Sequence, residues 1–340
     1  MSDAAHTPAV QRALDRKLER IHAGQYTPDD FVVADAKDAD MAFGVMAGGP
    51  VARDPQPRSL PGVHRTRAAY LAAMRAEVEA GAVDILLTSA SNGEVLAGEG
   101  ALGDDVTLAV RANDTTDIWS ARGSVYAARM SRPFRTAHLA SVRRFCDLVL
   151  YSVTLNNDVD HDLATLEAYR EFRLEAADLG MRHFLEVFNP NAPQGLAPDD
   201  VPAFVNDSII RLLAGVTAAH RPVFLKMAYN GRDAVAELVE HDPSVVVGIL
   251  GGSAGTTRDA LELLHRAEAA GARVSLFGRK IQRAESQLDL LAAMRRVLRG
   301  ELSPEQGVRT YHEALAAAGI ESHRPLDTDL QVTERVLRDE

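Results

Sequence analysis

The sequence predicts an α/β fold: a closed (β/α)8 barrel, the TIM-barrel architecture, with additional helices at both ends. Eight short apolar runs alternate with amphipathic segments of helix length, which is the pattern of such a barrel. The alternative is a doubly wound open sheet, but the glycine fingerprint G-x-G-x-x-G does not follow the first run. We expect a single domain over residues 1–340, with the barrel at about 30–300, a helix at 8–22 and further helices at 304–338.

The eight runs are the predicted strands. They are rich in Val, Ile, Leu and Phe and almost continuously apolar, as parallel strands covered on both faces are. The strands cover residues 31–37, 83–88, 106–111, 146–152, 182–188, 222–228, 244–250 and 272–277.

Helical spacing of apolar residues predicts the helices. They cover residues 8–22, 64–80, 163–179, 258–270, 284–298, 304–318 and 327–338. The segment 44–62 is rich in Gly and Pro and predicts a long loop over the barrel mouth. We expect a second mouth loop at 112–133, where Trp119 and several arginines are interpreted as a surface segment.

Composition excludes several classes of protein. The 340 residues include 37 basic and 48 acidic side chains, and the net charge of −11 argues against a nucleic-acid partner. No apolar segment approaches the roughly 20 residues of a membrane span, and residues 1–21 do not form a secretory signal. A cytoplasmic protein without a membrane partner is therefore expected. The one cysteine, Cys146, excludes an internal disulfide and a multi-thiolate metal site, and is interpreted as a buried inert thiol.

Lysine is rare in this chain. Only four of the 37 basic residues are lysines, and the other 33 are arginines. Lys17 lies on the predicted first helix and is interpreted as solvated. Lys37, Lys226 and Lys280 fall at or just after the ends of predicted strands, where barrel enzymes carry their active sites.

Lys226 interrupts the apolar sixth strand, PVFLKMAY. A buried ammonium group must be paired or must lower its pKa, and a partly neutral amine can form a Schiff base with a carbonyl. The alternative is a core salt bridge with Glu186 or Asp35. We favour the nucleophile, because arginine forms the better ion pair and cannot act as an amine.

Carboxylates and a tyrosine near other strand ends are candidates for proton transfer. Strand alternation places Phe184, Glu186 and Phe188 on one face, and the aromatic neighbours are expected to raise the pKa of Glu186. Alternatively, Glu186 only fixes Lys226. Tyr151 ends the fourth strand and is a further candidate for moving protons.

Asp35 and Lys37 are two residues apart and therefore share a face of the first strand. Asp35 is expected to orient substrate hydroxyls or to assist proton transfer. Lys37 is expected to hold an anionic group or to keep the pKa of Lys226 low. The alternative is that one of the two is merely an ion-pair partner.

The loops after strands seven and eight predict an anion site. The first contains Gly251, Gly252 and Ser253, and the second Gly278 and Arg279. Backbone N–H groups at glycine turns and helix starts bind anions, and barrels of this type often bind phosphate at these two loops. Tight turns between strand and helix are the alternative. No pair of histidines has zinc-site spacing, and we expect no metal.

These features resemble the class I, Schiff-base aldolases of the DeoC/LacD and archaeal-type fructose-bisphosphate aldolase superfamily. The shared features are a lysine on strand six, Gly-Gly after strand seven and Gly-Arg after strand eight. The resemblance covers residues 30–300 and is most specific over 222–286. Within the superfamily it is closest to an actinobacterial (β/α)8 family found with inositol-catabolism genes.

The resemblance implies site residues and an activity. It implies Lys226 as the Schiff-base lysine, Asp35 as the acidic residue of strand one and Glu186 as the glutamate of strand five. The implied phosphate binders are Gly251, Gly252, Ser253, Gly278 and Arg279.

The implied reaction is aldol cleavage of a phosphorylated keto sugar or sugar acid, such as 2-deoxy-5-keto-gluconate 6-phosphate, with no cofactor and in a homo-oligomer. One alternative is a deoxyribose-phosphate aldolase or a transaldolase-like enzyme. Another is a non-catalytic barrel that binds sugar phosphates.

Overall fold

Eight parallel strands close into a barrel in the computed structural model, which describes residues 11–49, 64–251 and 255–338. Each strand pairs with the next in chain order and the last pairs with the first, so the predicted (β/α)8 fold is confirmed. The strands are β1 Val32–Lys37, β2 Ile85–Thr88, β3 Thr107–Arg111, β4 Leu148–Thr154, β5 Arg182–Phe188, β6 Leu225–Met227, β7 Gly248–Leu250 and β8 Val274–Phe277.

Helices surround the barrel and extend beyond it at both ends of the chain. They are α1 Ala13–His22, α2 Ala39–Phe43, α3 Arg67–Glu79, α4 Ala90–Gly98, α5 Leu139–Val142, α6 Val159–Asp178, α7 Val201–Leu213, α8 Arg232–His241, α9 Thr257–Ala269, α10 Arg279–Gln282, α11 Gln287–Leu298, α12 Pro304–Ala317, α13 Leu326–Asp329 and α14 Arg335–Arg338.

The prediction of one helix over 327–338 is wrong. The chain there forms α13 and α14, separated by residues whose N–H groups bond outside the segment. The N–H groups of Thr333 and Glu334 donate to Asp259 Oδ1 at 2.7 and 3.1 Å. Because these amides are used by a carboxylate of α9, they do not form helical hydrogen bonds.

The barrel interior is filled by alternate residues of the strands. Ala34, Leu87, Leu150 and Leu276 belong to this inner core and are 0–1% exposed. Helix α1 covers the N-terminal end of the barrel, where Leu14 and Leu18 join the same core. The cavity lined by charged residues lies at the opposite end, at the carboxyl ends of the strands.

Lys17 is not solvated, contrary to the prediction from its place on the first helix. Its Nζ donates to the carbonyl oxygen of Phe31 and to Asp84 Oδ2, both at 2.9 Å. The side chain reaches back from α1 to the start of the barrel and ties the helix to it.

Cys146 is a buried free thiol, as expected. Its Sγ lies 3.0 Å from the carbonyl oxygen of Leu148, and burial raises its pKa to about 12. In the described parts of the chain, no helix combines the length and apolarity that crossing a membrane requires.

Two loops meet over the carboxyl ends of the strands. The loop after β3 contains two short antiparallel strands, Asp114–Thr115 and Pro133–Phe134. Trp119 of this loop lies on the surface, with ring centroids 5.1 Å from Tyr126 and 5.2 Å from Phe134. The Ser120 N–H donates to the Ala42 carbonyl oxygen at 2.8 Å and joins this loop to the loop after β1. Residues 50–62 of the predicted loop 44–62 lie outside the described residues.

Candidate active site

A cavity of about 320 Å³ opens at the carboxyl ends of the strands. Its lining comes from six of the eight strands or the residues that follow them, and from the loop after β3. The charged residues that line it are Asp38, Arg111, Asp117, Glu186, Lys226 and Arg279. This cavity, called the mouth cavity below, lies where barrel enzymes carry out their chemistry.

Strand register explains how Lys226 and Glu186 come together. Glu186 of β5 is the register partner of Lys226 on β6 and of Ser152 on β4. Two residues earlier in the chain than Glu186 and Lys226, Phe184 and Phe224 stack with ring centroids 4.5 Å apart and form an apolar floor. The predicted alternation of β5 is thus confirmed, since Phe184 belongs to the inner core while Glu186 and Phe188 line the cavity.

Four side chains form a line of alternating charges across the cavity. Lys226 Nζ lies 2.5 Å from Glu186 Oε1, and Arg111 Nη2 lies 2.9 Å from Glu186 Oε2. The Nε of the same arginine pairs with Asp38 Oδ2. All four side chains are at most 8% exposed. Their formal charges sum to zero, so each buried charge has an opposite charge beside it, and none bears the cost of an unpaired buried charge.

Glu186 is held ionised. Burial alone raises its pKa, but Lys226 and Arg111 outweigh that effect and lower the pKa to about 2. Ser152 adds a hydrogen bond, donating from Oγ to Glu186 Oε2 at 2.6 Å. The expected rise in the pKa of Glu186 is therefore wrong, because two cations rather than two aromatic rings determine it. The geometry favours the alternative in which Glu186 fixes Lys226.

Asp35 and Lys37 lie on the outer face of β1. This position contradicts the expected roles of Asp35 in orienting substrate or moving protons and of Lys37 in holding an anion or acting on Lys226. The inner positions of β1 are Ala34 and Ala36, and Asp38 continues that series. Asp35 and Lys37 alternate with these residues, so they point between the barrel and its helices. Neither side chain has any exposed surface.

The outer pair forms a buried cluster with α3. Lys37 Nζ lies 2.8 Å from Asp35 Oδ2 and 2.9 Å from Glu77 Oε1. It also donates to Gln282 Oε1 at 2.9 Å and Gln287 Oε1 at 3.0 Å. Burial and the nearby Glu77 raise the pKa of Asp35 well above its usual value. For Lys37 burial acts to lower the pKa, but the two carboxyl groups outweigh it and raise the pKa. The structure thus supports the alternative of ion-pair partners.

Tyr151 also points away from the mouth cavity, so the geometry does not bring it together with Lys226. Its ring stacks on Phe172 of α6 at 4.4 Å and lies 5.3 Å from Tyr169. The inner position on β4 belongs to Ser152, one residue later. Tyr151 is 1% exposed, and burial raises its pKa.

Three residues of the predicted phosphate site line the mouth cavity: Gly251, Gly278 and Arg279. A Cβ on Gly278 would lie 2.7 Å from the Ala36 carbonyl oxygen, and a Cβ on Gly251 would lie 2.9 Å from the ring of Phe277. Close packing therefore explains the glycine at both positions. This agrees with the alternative of tight turns between strand and helix, and it does not by itself test the predicted anion site. Gly252 and Ser253 lie outside the described residues.

Lys280 does not line the mouth cavity. Its Nζ donates to the Gly255 carbonyl oxygen at 3.0 Å, and the residue is 7% exposed. Burial lowers its pKa to about 8. Arg122, Arg129 and Arg132 of the loop after β3 are exposed and do not line this cavity either.

Four residues of the site received no predicted role: Asp38 and Arg111, which lie at the ends of the first and third predicted strands, and Asp117 and Ser152. A signal exists for two of them, because Asp38 is in phase with Ala36 along β1 and Ser152 is in phase with the inner residue Leu150 of β4. Across the described residues, no group of three or more His, Cys, Asp or Glu side chains is arranged to hold a metal ion.

Solved structures of Schiff-base aldolases share this fold, whereas no protein-family model and no curated protein sequence matches the chain. An archaeal fructose 1,6-bisphosphate aldolase is 14% identical with a TM-score of 0.59, over 84% of this chain and 99% of that one. An archaeal fructose-1,6-bisphosphate aldolase whose catalytic lysine is covalently bound to the carbinolamine intermediate is 15% identical, with a TM-score of 0.58 over 84% and 100%.

Cgl0159 of Corynebacterium glutamicum is 17% identical, with a TM-score of 0.56, over 87% of this chain and 100% of that one. At these identities the likeness concerns the fold. The chain thus has the (β/α)8 barrel of the class I aldolases that its sequence resembles.

Proposed function

We propose that the protein is a class I aldolase in which Lys226 forms a Schiff base with a phosphorylated keto sugar or sugar acid. The observation that carries the proposal is a buried lysine in the mouth cavity, 2.5 Å from a carboxylate. The chain uses arginine for 33 of its 37 basic residues, so an amine at this position is a notable choice. The shared fold with Schiff-base aldolases supports the same chemistry.

Lys226 first gives its ammonium proton to water, and the free amine then attacks the substrate carbonyl to form a carbinolamine. The carbinolamine hydroxyl takes up a proton and leaves as water, which gives an iminium ion. Glu186, held as a carboxylate by Arg111 and Ser152, stabilises the positive charge of the iminium. The iminium accepts the electron pair of the breaking carbon–carbon bond. Arg111 keeps Glu186 ionised through the step, because it remains paired when Lys226 becomes covalently bound.

Gly251, Gly278 and Arg279 of the cavity wall bind the substrate phosphate in this proposal, together with Gly252 and Ser253 of the predicted site. Close backbone approach and a neighbouring guanidinium suit a phosphate group. The substrate panel includes fructose 1,6-bisphosphate, deoxyribose 5-phosphate and 2-deoxy-5-keto-gluconate 6-phosphate. Two further predictions remain to be tested. Limited proteolysis tests the single domain, and light scattering tests the homo-oligomer.

Borohydride trapping tests the proposal. The protein is reduced in the presence of dihydroxyacetone phosphate or each member of the panel, and the adduct is located by peptide mass spectrometry. We expect the adduct on Lys226. Lys226→Arg retains the charge opposite Glu186 and is expected to give none, whereas Lys280→Arg, a matched lysine outside the cavity, keeps the adduct. An unmodified Lys226 with every substrate would refute the mechanism.

The ion pair of Lys226 and Glu186 also suits a second candidate, a non-catalytic barrel that binds sugar phosphates. In that case Lys226 only neutralises charge. Substrates would raise the Tm of the protein without turnover and without a reduced adduct. The trapping experiment and a thermal shift on the same samples separate the two candidates.

A further inference from the structure

Aldol cleavage needs a base that the predicted candidates do not supply. In the proposed retro-aldol step, a group must take the proton from the substrate hydroxyl beyond the breaking bond. Asp35 and Tyr151 point away from the mouth cavity, as described above. Glu186 faces it, but with a pKa of about 2 it is a weak base.

The mouth cavity itself offers few alternatives. Its described lining contains three carboxyl groups, those of Asp38, Asp117 and Glu186. Asp38 and Glu186 are both ion-paired to Arg111. Asp117 forms no ion pair with the described residues. Its partners are two hydroxyl groups.

Those hydroxyl groups fix the position of the Asp117 carboxylate. Ser131 Oγ donates to Oδ1 at 2.6 Å, and Thr154 Oγ1 donates to Oδ2 at 3.1 Å. Thr154 is the last residue of β4 and is in phase with Ser152, so it belongs to the inner face of the strand. Asp117 therefore has the properties of a base: it is an oriented carboxylate, part-exposed to water, and no cation among the described residues is paired with it.

We propose that Asp117 is the catalytic base of the carbon–carbon cleavage. The inference rests on the proposed function. Asp117 takes the proton of the substrate hydroxyl, and the electrons of that O–H bond form the new carbonyl. The carbon–carbon bond breaks and its electron pair forms the enamine, with the iminium nitrogen of Lys226 becoming neutral. The proton then leaves Asp117 for water, and the reverse steps describe the aldol addition.

The test compares cleavage with Schiff-base formation in Asp117→Asn. Asparagine has the same shape and cannot accept the proton, so kcat should fall by roughly 10²–10⁴-fold. The borohydride adduct with dihydroxyacetone phosphate should remain on Lys226, because its formation does not break a carbon–carbon bond. The acidic limb of the wild-type pH profile of kcat/KM should disappear in the variant.

Two further variants make the result decisive. Asp160→Asn removes an exposed carboxylate after β4, at the same end of the barrel, and should leave cleavage unchanged. Thr154→Val removes one hydroxyl that orients Asp117 and should lower kcat less than Asp117→Asn does, while the borohydride adduct on Lys226 still forms. Normal cleavage by a folded Asp117→Asn, or an unaltered acidic limb, would overturn the inference. Absence of any adduct in the wild-type protein would instead overturn the proposed function, and the inference with it.

Discussion

Replacing Lys37 with methionine removes the ammonium group from the cluster that it forms with Asp35 and Glu77. All three side chains are at most 1% exposed, so water does not replace the lost cation. Methionine preserves most of the side-chain length but none of the four polar contacts. The substitution therefore tests whether Lys37 holds the fold, as its position indicates, or acts in the chemistry, as its place in the sequence suggests.

The expected loss of stability is large. Removing one partner of a buried ion pair costs roughly 3–5 kcal/mol, since the remaining charge is uncompensated. Gln282 and Gln287 also lose a charged donor each. Unfolding entropy of about 2.1 cal/mol/K per residue over 340 residues converts this loss into a Tm lower by about 4–7 °C. Gln287→Met removes the hydrogen bond from Lys37 and two long hydrogen bonds to Gln282, but no charge, and should cost on the order of 1 kcal/mol.

The loss should depend on pH. Burial and Glu77 already raise the pKa of Asp35 in the folded protein, and removing Lys37, which lowers it, raises it further. Between the unfolded and folded pKa values the folded state binds the extra proton, so stability decreases as pH rises through this window. Lys37→Met should therefore be less destabilising at pH 5 than at pH 8, measured by urea unfolding at both values.

Two results would refute this reasoning. An equal loss of stability at both pH values would show that protonation of Asp35 does not relieve the missing cation. A variant with wild-type Tm and no borohydride adduct on Lys226 would show that Lys37 acts in the chemistry and does not stabilise the fold. We expect the opposite: lower stability, and an adduct on Lys226 wherever the variant is folded.

Three smaller predictions follow from single residues. Gly278→Ala should destabilise the protein by roughly 1–3 kcal/mol and raise the KM for phosphorylated substrates in steady-state assays, because the added methyl meets the Ala36 carbonyl. Cys146, with a raised pKa of about 12, should resist iodoacetamide at pH 8 and react only after denaturation, as mass spectrometry would show. Leu14→Ala should cost roughly 2–5 kcal/mol by urea unfolding while the Lys226 adduct still forms, since Leu14 fills the far end of the barrel.

The sequence was sufficient to predict the barrel and the pair at its centre. Each predicted apolar run corresponds to a barrel strand. Strands that are buried on both faces give continuous apolar runs in the sequence, which makes them easy to find. Glu186 and Lys226 could be found because each interrupts such a run near its end. Their proximity then follows from adjacent parallel strands in register.

That same continuous signal hides which face a residue occupies. With both faces buried, the alternation of β1 does not distinguish Asp35 and Lys37 from Ala34 and Ala36, and a shift of one residue reverses the assignment. Glu77, an acidic residue on the apolar face of α3, was a clue to the outer cluster. The low pKa of Glu186 follows first from Lys226, whose pairing with Glu186 the sequence analysis gave as an alternative, and then from Arg111. The contribution of Arg111 could not be foreseen, because it reaches Glu186 from 75 residues earlier in the chain.

All four lysine side chains are bonded within the fold, and this makes a lysine-specific protease a useful probe of unfolding. Lys17, Lys37, Lys226 and Lys280 are all buried or part-buried, and each is hydrogen-bonded or ion-paired within the fold. A lysine-specific protease therefore meets no accessible site in these parts of the folded chain, whereas the unfolded chain presents four. Cleavage by such a protease would report the unfolded population directly, in the wild-type protein and in variants that have lost their activity.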